Sequence, residues 1–293
     1  MASRTMGTAP VGSGVAGATS LSGGIAFGTE HASSVNPHTA RTRPAAATSA
    51  MVAALAVTVL GCGHAGPQVT RVQARPVAPT LTIGAGEHPL GMGTMRLRDA
   101  AERDGRLYVP KQAAPQRPLP LIVLLHGGGG RAQDFRSMFP LAEEFGVVML
   151  ALDSRHNTWD GIDSPFGPDV QFIDAALRYT FERVAVDPER IAIGGLSDGG
   201  AYALSLGLVN GDLFTHLVAV APGFFAPPAP PTGRPRIFVA HGTRDNVYSV
   251  AGSRRDIVPR LKSAGYDVTY YEFDGPHWVT EAAARQALKW LVH

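Results

Sequence analysis

The chain has 293 residues, 45% of them hydrophobic and 17% charged, with a formal net charge of +2. That composition is ordinary for a globular protein and excludes fibrous, collagen-like and wholly disordered classes. The positive charge lies at one end: residues 1–79 hold Arg4, Arg41, Arg43, Arg71 and Arg75 against Glu30, a net of +4, and the remaining 21 basic and 23 acidic residues net −2. The rest of the chain is slightly acidic and shows no basic stripe, so nucleic acid is not an expected partner.

Residues 1–44 are rich in Gly, Ala, Ser and Thr without helical or strand periodicity, and read as disordered. Arg41 and Arg43 then precede an apolar run, Ala45 to Leu60, closed by Gly61-Cys62. A positive flank, a short apolar core and a small residue before the cut describe an export signal, and the run is short for a membrane span. Val59-Leu60-Gly61-Cys62 resembles the lipobox of bacterial lipoproteins, although Leu60 replaces the usual small residue. That resemblance implies lipidation at Cys62 and an exported, membrane-anchored or secreted protein. Cys62 is the single cysteine, so no intramolecular disulfide, thiol nucleophile or Cys-ligated zinc is expected downstream. The expected organisation is a 1–62 extension and signal segment, a 63–80 Pro/Ala/Gln linker, and an 81–293 catalytic domain.

From residue 81 onward strand-like and helix-like segments alternate. Leu81 to Ile83 and Gly105 to Val109 are short strand candidates, and Pro120 to Leu125 is an apolar strand of the kind buried on both faces. Asp134 to Phe145 is an amphipathic helix, and Val147 to Leu152 a strand. A polar loop, Asp153 to Gly167, precedes a helix capped by Asp169 and running to about Arg183. Strands follow at Arg190–Ile193, His216–Ala221, Pro235–Ala240 and Val268–Phe273, with helices at Asp256–Ala264 and Thr280–Leu291. The pattern predicts an α/β fold with a mostly parallel central sheet flanked by helices.

Strand ends carry the chemistry in such sheets. Gly195-Leu196-Ser197-Asp198-Gly199 lies between the 190–193 strand and the helix-like run Ala201 to Leu206, the strand–turn–helix context of a nucleophile elbow. The two glycines remove side chains that would collide in so tight a turn. After Leu125 comes His126-Gly127-Gly128-Gly129-Gly130, whose backbone N–H groups can line an oxyanion hole; the second donor is the N–H of Asp198. No Lys-Ser or Lys-Thr follows those glycines, which disfavours a phosphate loop. A serine needs a base and the base an orienting acid. In the order serine, acid, histidine, Asp245 in His241-Gly242-Thr243-Arg244-Asp245 is the leading acid, with Asp274 the alternative; His277 and the terminal His293 are the histidines beyond Asp245. His126 and His241 read as structural. Asp160, Asp163, Asp169 and His156 read as a solvated loop and a helix cap, without a metal.

Leu125-His126-Gly127-Gly128-Gly129, Gly195-Leu196-Ser197-Asp198-Gly199, His241 to Asp245, and Gly275-Pro276-His277 together resemble the serine esterases of the α/β-hydrolase superfamily. The nearest group is the phospholipase/carboxylesterase family; feruloyl-esterase-like and polyhydroxybutyrate-depolymerase-like enzymes resemble the chain more distantly. The resemblance covers roughly residues 105–290. It implies catalysis by Ser197, Asp245 and His277, oxyanion donors at Gly128 and Asp198, and no cofactor. Many relatives have Gln, Met or Asn at the position of Asp198. Large lids are often inserted after the strand that ends here at Ala221, and this chain has no room for one. The expected substrates are therefore short-acyl or aryl esters at an open site lined by Trp159, Phe224, Phe225 and Trp278. A polyester depolymerase, or a peptidase or amidase on the same residues, is the alternative.

Overall fold

Leu119–Leu125 carries no polar side chain, and a strand of that kind belongs in a sheet covered on both faces. In the computed structural model, which describes residues 69–92 and 103–293, that strand is central in a sheet of eight. The strands are β1 (Gly86–Pro89), β2 (Gly105–Val109), β3 (Leu119–Leu125), β4 (Val148–Leu152), β5 (Val186–Leu196), β6 (His216–Val220), β7 (Arg236–Gly242) and β8 (Val268–Phe273). Their spatial order is β1-β2-β4-β3-β5-β6-β7-β8. β2 pairs antiparallel with both its neighbours, and every other pair is parallel.

The period of two along each strand sorts its side chains between two cores. Leu121, Val123 and Leu125 of β3 join Val148, Leu150 and Leu152 of β4 on one face. There they meet α2 (Pro168–Phe181), α3 (Asp198–Val209) and α5 (Val258–Ser263). Ile122, Leu124, Met149 and Ala151 point the other way, against α1 (Phe139–Phe145) and α6 (Glu281–Val292). The remaining helix, α4 (Val250–Gly252), runs through a π-helical turn, Ser253–Ile257, into α5. Thr280 caps α6 by accepting from the Ala283 N–H, 3.2 Å away.

Three expectations need correction. Leu81 to Ile83 is not a strand: the N–H groups of Thr80 and Leu81 donate to the Glu182 carbonyl (3.0 and 2.9 Å), and Leu81 stays exposed. The helix expected over Asp134–Phe145 begins as a 3-10 turn, Ala132–Met138, because Pro140 cannot donate the hydrogen bond that would carry an α-helix through. The described part of the expected linker, residues 69–80, is no free spacer. Val72 and Ala74 are buried in the core, the Val72 N–H donates to Asn210 Oδ1 (2.9 Å), and Asn210 Nδ2 donates to the Thr70 carbonyl (2.9 Å). The extension, signal segment and Cys62 lie outside the described residues.

Candidate active site

β5 runs into α3 with a single residue, Ser197, between them. Its backbone sits at φ +56° and ψ −119°, a conformation that costs an L-residue energy and clusters at functional sites. The flanking glycines make the turn sterically feasible. A Cβ on Gly199 would stand 2.2 Å from the Leu125 carbonyl oxygen, and one on Gly195 would stand 2.5 Å from the same atom. The Ser197 N–H donates to the Val220 carbonyl (2.9 Å), which ties the turn to β6. The side chain is thereby placed at the N-terminus of α3, where helix dipoles favour negative charge.

The glycine loop after β3 lies directly beside it: a Cβ on Gly127 would be 3.4 Å from Ser197 Cβ. Within that loop Gly129 and Gly130 spend their N–H groups on the Asn157 and Gly127 carbonyls (2.8 and 3.0 Å). Among the described residues the N–H groups of Gly128 and Asp198 have no such partner, so both remain free to bind an anion. The loop is braced from below. Trp159 Nε1 donates to the His126 carbonyl (2.8 Å), and His126 Nε2 accepts from the Ser154 N–H (3.0 Å) while Nδ1 faces the Gly127 carbonyl (2.7 Å). Those partners define a ring with its hydrogen on Nδ1, and burial lowers the His126 pKa. His126 is thus structural, as the sequence implied.

The Asp198 carboxylate does not point away from this loop. Thr158 Oγ1 donates to its Oδ2 (2.7 Å), and that oxygen would stand 2.8 Å from a Cβ on Gly128. Thr158 lies 40 residues from Asp198 in sequence, and no local signal marks it as a partner.

The candidate acid and base lie at the ends of β7 and β8. A Cβ on Gly242 would stand 2.3 Å from the Gly275 carbonyl oxygen, so the end of β7 packs straight onto the turn before His277. Thr243 and Arg244 N–H groups donate to the Phe273 and Gly275 carbonyls (2.8 and 3.0 Å) and lock the two turns together. His277 Nδ1 then meets Asp245 Oδ2 at 2.6 Å, with the Asp245 side chain wholly buried and His277 14% exposed. Asp245 Oδ1 accepts from the Val247 and Tyr248 N–H groups (2.8 and 2.9 Å), an Asx-type turn readable from an Asp at a loop start. Burial pushes this carboxyl up, but the hydrogen bonds from His277, Tyr248 and Val247 outweigh it and hold the pKa below the usual range. The alternative acid, Asp274, pairs instead with Arg244 at the surface (2.8 Å). No hydrogen bond joins the Ser197 hydroxyl to His277, a contact that in free hydrolases often tightens only with substrate.

The expected substrate-lining aromatics divide. Phe224 and Trp278 are 37% and 54% exposed, and Tyr248 lies edge-on to His277 with ring centroids 5.7 Å apart. Trp159 is 0% exposed and lies under the glycine loop, so it lines no open pocket. Phe225 packs against the core with Arg260 over its ring, beside a groove formed with Leu208 and Tyr266. The loop after β4 also differs from a solvated one. Asp160 and Asp169 are both buried, Asp160 accepting from Gly167 N, Asp169 N and Tyr202 Oη, and Asp169 from Arg155 N and Asp160 N. Burial, reinforced by Asp160, raises the Asp169 pKa to about 7.

No family model matches the chain. Among curated proteins it is 26% identical over 218 residues to "Putative esterase NocK" of Nocardia uniformis subsp. tsuyamanensis, covering 67% of this chain and 63% of that protein. It is 32% identical over 120 residues to an acetylxylan esterase of Coprinopsis cinerea, covering 37% of this chain and 32% of that one. The chain thus spans less than two thirds of the length of either relative. Among solved structures it superposes on Staphylococcus aureus fluorophosphonate-binding serine hydrolase F with a TM-score of 0.58 at 16% identity, covering 72% of this chain and 99% of the other. The fold is that of the α/β-hydrolases, as the motif order implied, and these two curated relatives bear esterase names.

Proposed function

We propose that this α/β-hydrolase is a serine carboxylic-ester hydrolase working through an acyl-enzyme. The observation that carries the reading is the 2.6 Å hydrogen bond from His277 to the buried Asp245, at the same C-terminal end of the parallel strands where Ser197 stands in its strained turn. Ser197 Oγ attacks the ester carbonyl while His277 Nε2 takes its proton. Asp245 holds the imidazole by Nδ1 and stabilises its positive charge. The Gly128 and Asp198 N–H groups receive the tetrahedral oxyanion. His277 then protonates the departing alcohol, the acyl group stays on Ser197, and water activated by the same histidine releases the acid.

The substrate class is argued from the connection between β6 and β7. Residues 221–235 cross from one strand to the next with no helix, so that segment holds no helical lid, and Ser197 keeps partial exposure. An unroofed serine beside exposed Phe224 and Trp278 suits short-acyl or aryl esters. The esterase names of the two relatives reported above support ester chemistry. We also propose export with lipidation at Cys62, supported by Arg41, Arg43, the apolar run and Gly61 in the sequence.

The test is hydrolysis of p-nitrophenyl esters from acetate to long acyl chains by the full chain and by Ser197→Ala. Turnover is expected to fall with acyl length and to vanish in the variant. A maximum at long chains would overturn the open site, and turnover unchanged by Ser197→Ala would overturn the mechanism.

A further inference from the structure

Asp245 shares one of its oxygens between two histidines. Oδ2 takes the 2.6 Å contact from His277 and also lies 3.1 Å from Nε2 of His241, at the end of β7. The same Nε2 stands 3.0 Å from the Tyr248 carbonyl oxygen. Both neighbours are acceptors, and an unprotonated nitrogen would turn its lone pair on two oxygens, so Nε2 carries hydrogen. On the ring's other side Nδ1 meets Ser253 Oγ at 2.8 Å, a hydroxyl able to donate to it. His241 and Ser253 are both 0% exposed. Ser253 opens the π-helical turn between α4 and α5, and such one-turn widenings of a helix collect at functional sites.

We propose that His241 is a positioning residue for the acid–base pair: its Nε2–H, bonded to the Tyr248 carbonyl and 3.1 Å from Asp245 Oδ2, holds the 245–248 turn and the carboxylate it carries in place, and Ser253 fixes the ring tautomer that makes this possible. The inference rests on the roles of Ser197, Asp245 and His277 proposed above. Tyr248 is the joint. Its N–H donates to Asp245 Oδ1 and its carbonyl accepts from His241, so the ring grips both the carboxylate and the loop that orients it. Without that N–H, Oδ2 loses a neighbouring positive edge and becomes more basic. A more basic carboxylate stabilises the imidazolium form of His277 more strongly. The ring then stays protonated to higher pH, where it cannot accept the Ser197 proton.

Other groups near this pair are accounted for. Glu272 stands opposite His241 across the β7–β8 ladder and is bound by Arg254. Arg244 is paired with Asp274, Tyr248 lies edge-on to His277, and Asp198 is bound by Thr158. Glu272, Arg244, Asp274 and Asp198 are each held by partners other than His241 and Ser253, so they are not expected to produce the difference between variants.

Three variants of the full chain test the proposal. His241→Leu removes both ring nitrogens, His241→Gln keeps an N–H donor near the Nε2 position, and Ser253→Ala leaves the ring but frees its tautomer. Each is checked for folding by thermal melting. The ring of His277 is titrated by NMR, and kcat and KM for p-nitrophenyl acetate are followed across pH. In His241→Leu the His277 titration and the acid limb of kcat are expected to move to higher pH by about half a unit or more. At neutral pH kcat is expected to fall about tenfold with KM nearly unchanged, as for a lost orienting contact. His241→Gln restores most of both, and Ser253→Ala falls between. A folded His241→Leu or Ser253→Ala with the parent titration overturns the proposal, as does a folded His241→Gln as impaired as His241→Leu. If His241→Leu does not fold, the other two decide. Because the NMR titration needs no turnover, it still judges His241 if the esterase reading fails through an active Ser197→Ala.

Discussion

The two oxygens of Asp245 have separate partners: Oδ1 closes its own turn through the Val247 and Tyr248 N–H groups, and Oδ2 faces His277. Asp245→Asn keeps the shape and removes the charge. Its kcat is expected to drop by about 10³–10⁴-fold with a small change in KM, since the wrong imidazole tautomer is then favoured. The same variant carries a stability signature. The folded-state pKa of Asp245 lies below the ordinary carboxylate range, so the carboxylate stabilises the fold above that range and loses this contribution as pH falls through the folded value. Thermal melts between pH 3 and 7 are expected to show a shallower acid slope for Asp245→Asn than for the parent; a parallel slope would contradict the assignment. Ser197, Asp245 and His277 stand out in the sequence as candidates because each follows a strand end in a short motif with few competitors. Thr158 and Ser253 do not, because their partners lie 40 and 12 residues away and meet them only through the packed sheet. Trp159 was misplaced for a related reason: an aromatic in a polar loop looks like pocket lining until its N–H finds the His126 carbonyl.

At the scale of elements, β3 and the β5–α3 elbow set the site, and their contact leaves no room for a methyl group. Gly199→Ala would press a Cβ against the Leu125 and His126 carbonyl oxygens, 2.2 and 2.5 Å away, both backbone atoms unable to move without displacing β3. A cost of about 1–3 kcal/mol or more is expected, as for overpacked cores, together with loss of turnover from a displaced oxyanion loop. A melting temperature and activity equal to the parent's would contradict the tight elbow. The parallel strands were readable because apolar runs such as Val148–Leu152 are buried on both faces. β1 was missed because Gly86–Pro89 is short, polar and only half-buried, and the preceding Leu81 to Ile83 better matched an alternating pattern. The 3-10 start ahead of α1 and the π turn ahead of α5 were invisible for another reason. Periodicity registers a helical face, and a local change of hydrogen-bond step hardly alters that face.

For the molecule as a whole, residues 69–80, just before the first strand, pack against the hydrolase body. Composition alone marked residues 63–80 as a spacer, yet Val72 and Ala74 fill the core beside Asn210, and Asp212 pairs with Arg71 and Arg75 (2.8 and 2.5 Å). Those ion pairs are half exposed and contribute little; the buried Val72 contributes about 1.5–3 kcal/mol. A chain beginning at residue 81 is therefore expected to melt several degrees below one beginning at residue 66. Equal melting temperatures would return the segment to a free linker. The central claim, that Ser197 is a nucleophile activated by the Asp245–His277 pair, is tested most directly by covalent labelling. The full chain, Ser197→Ala and His277→Ala are each treated with a fluorophosphonate, and the adduct is located by peptide mass spectrometry. The expected result is one adduct on Ser197 in the parent, none in Ser197→Ala, and strongly slowed labelling in His277→Ala. An adduct on another residue, or labelling at the parent rate without His277, would contradict it.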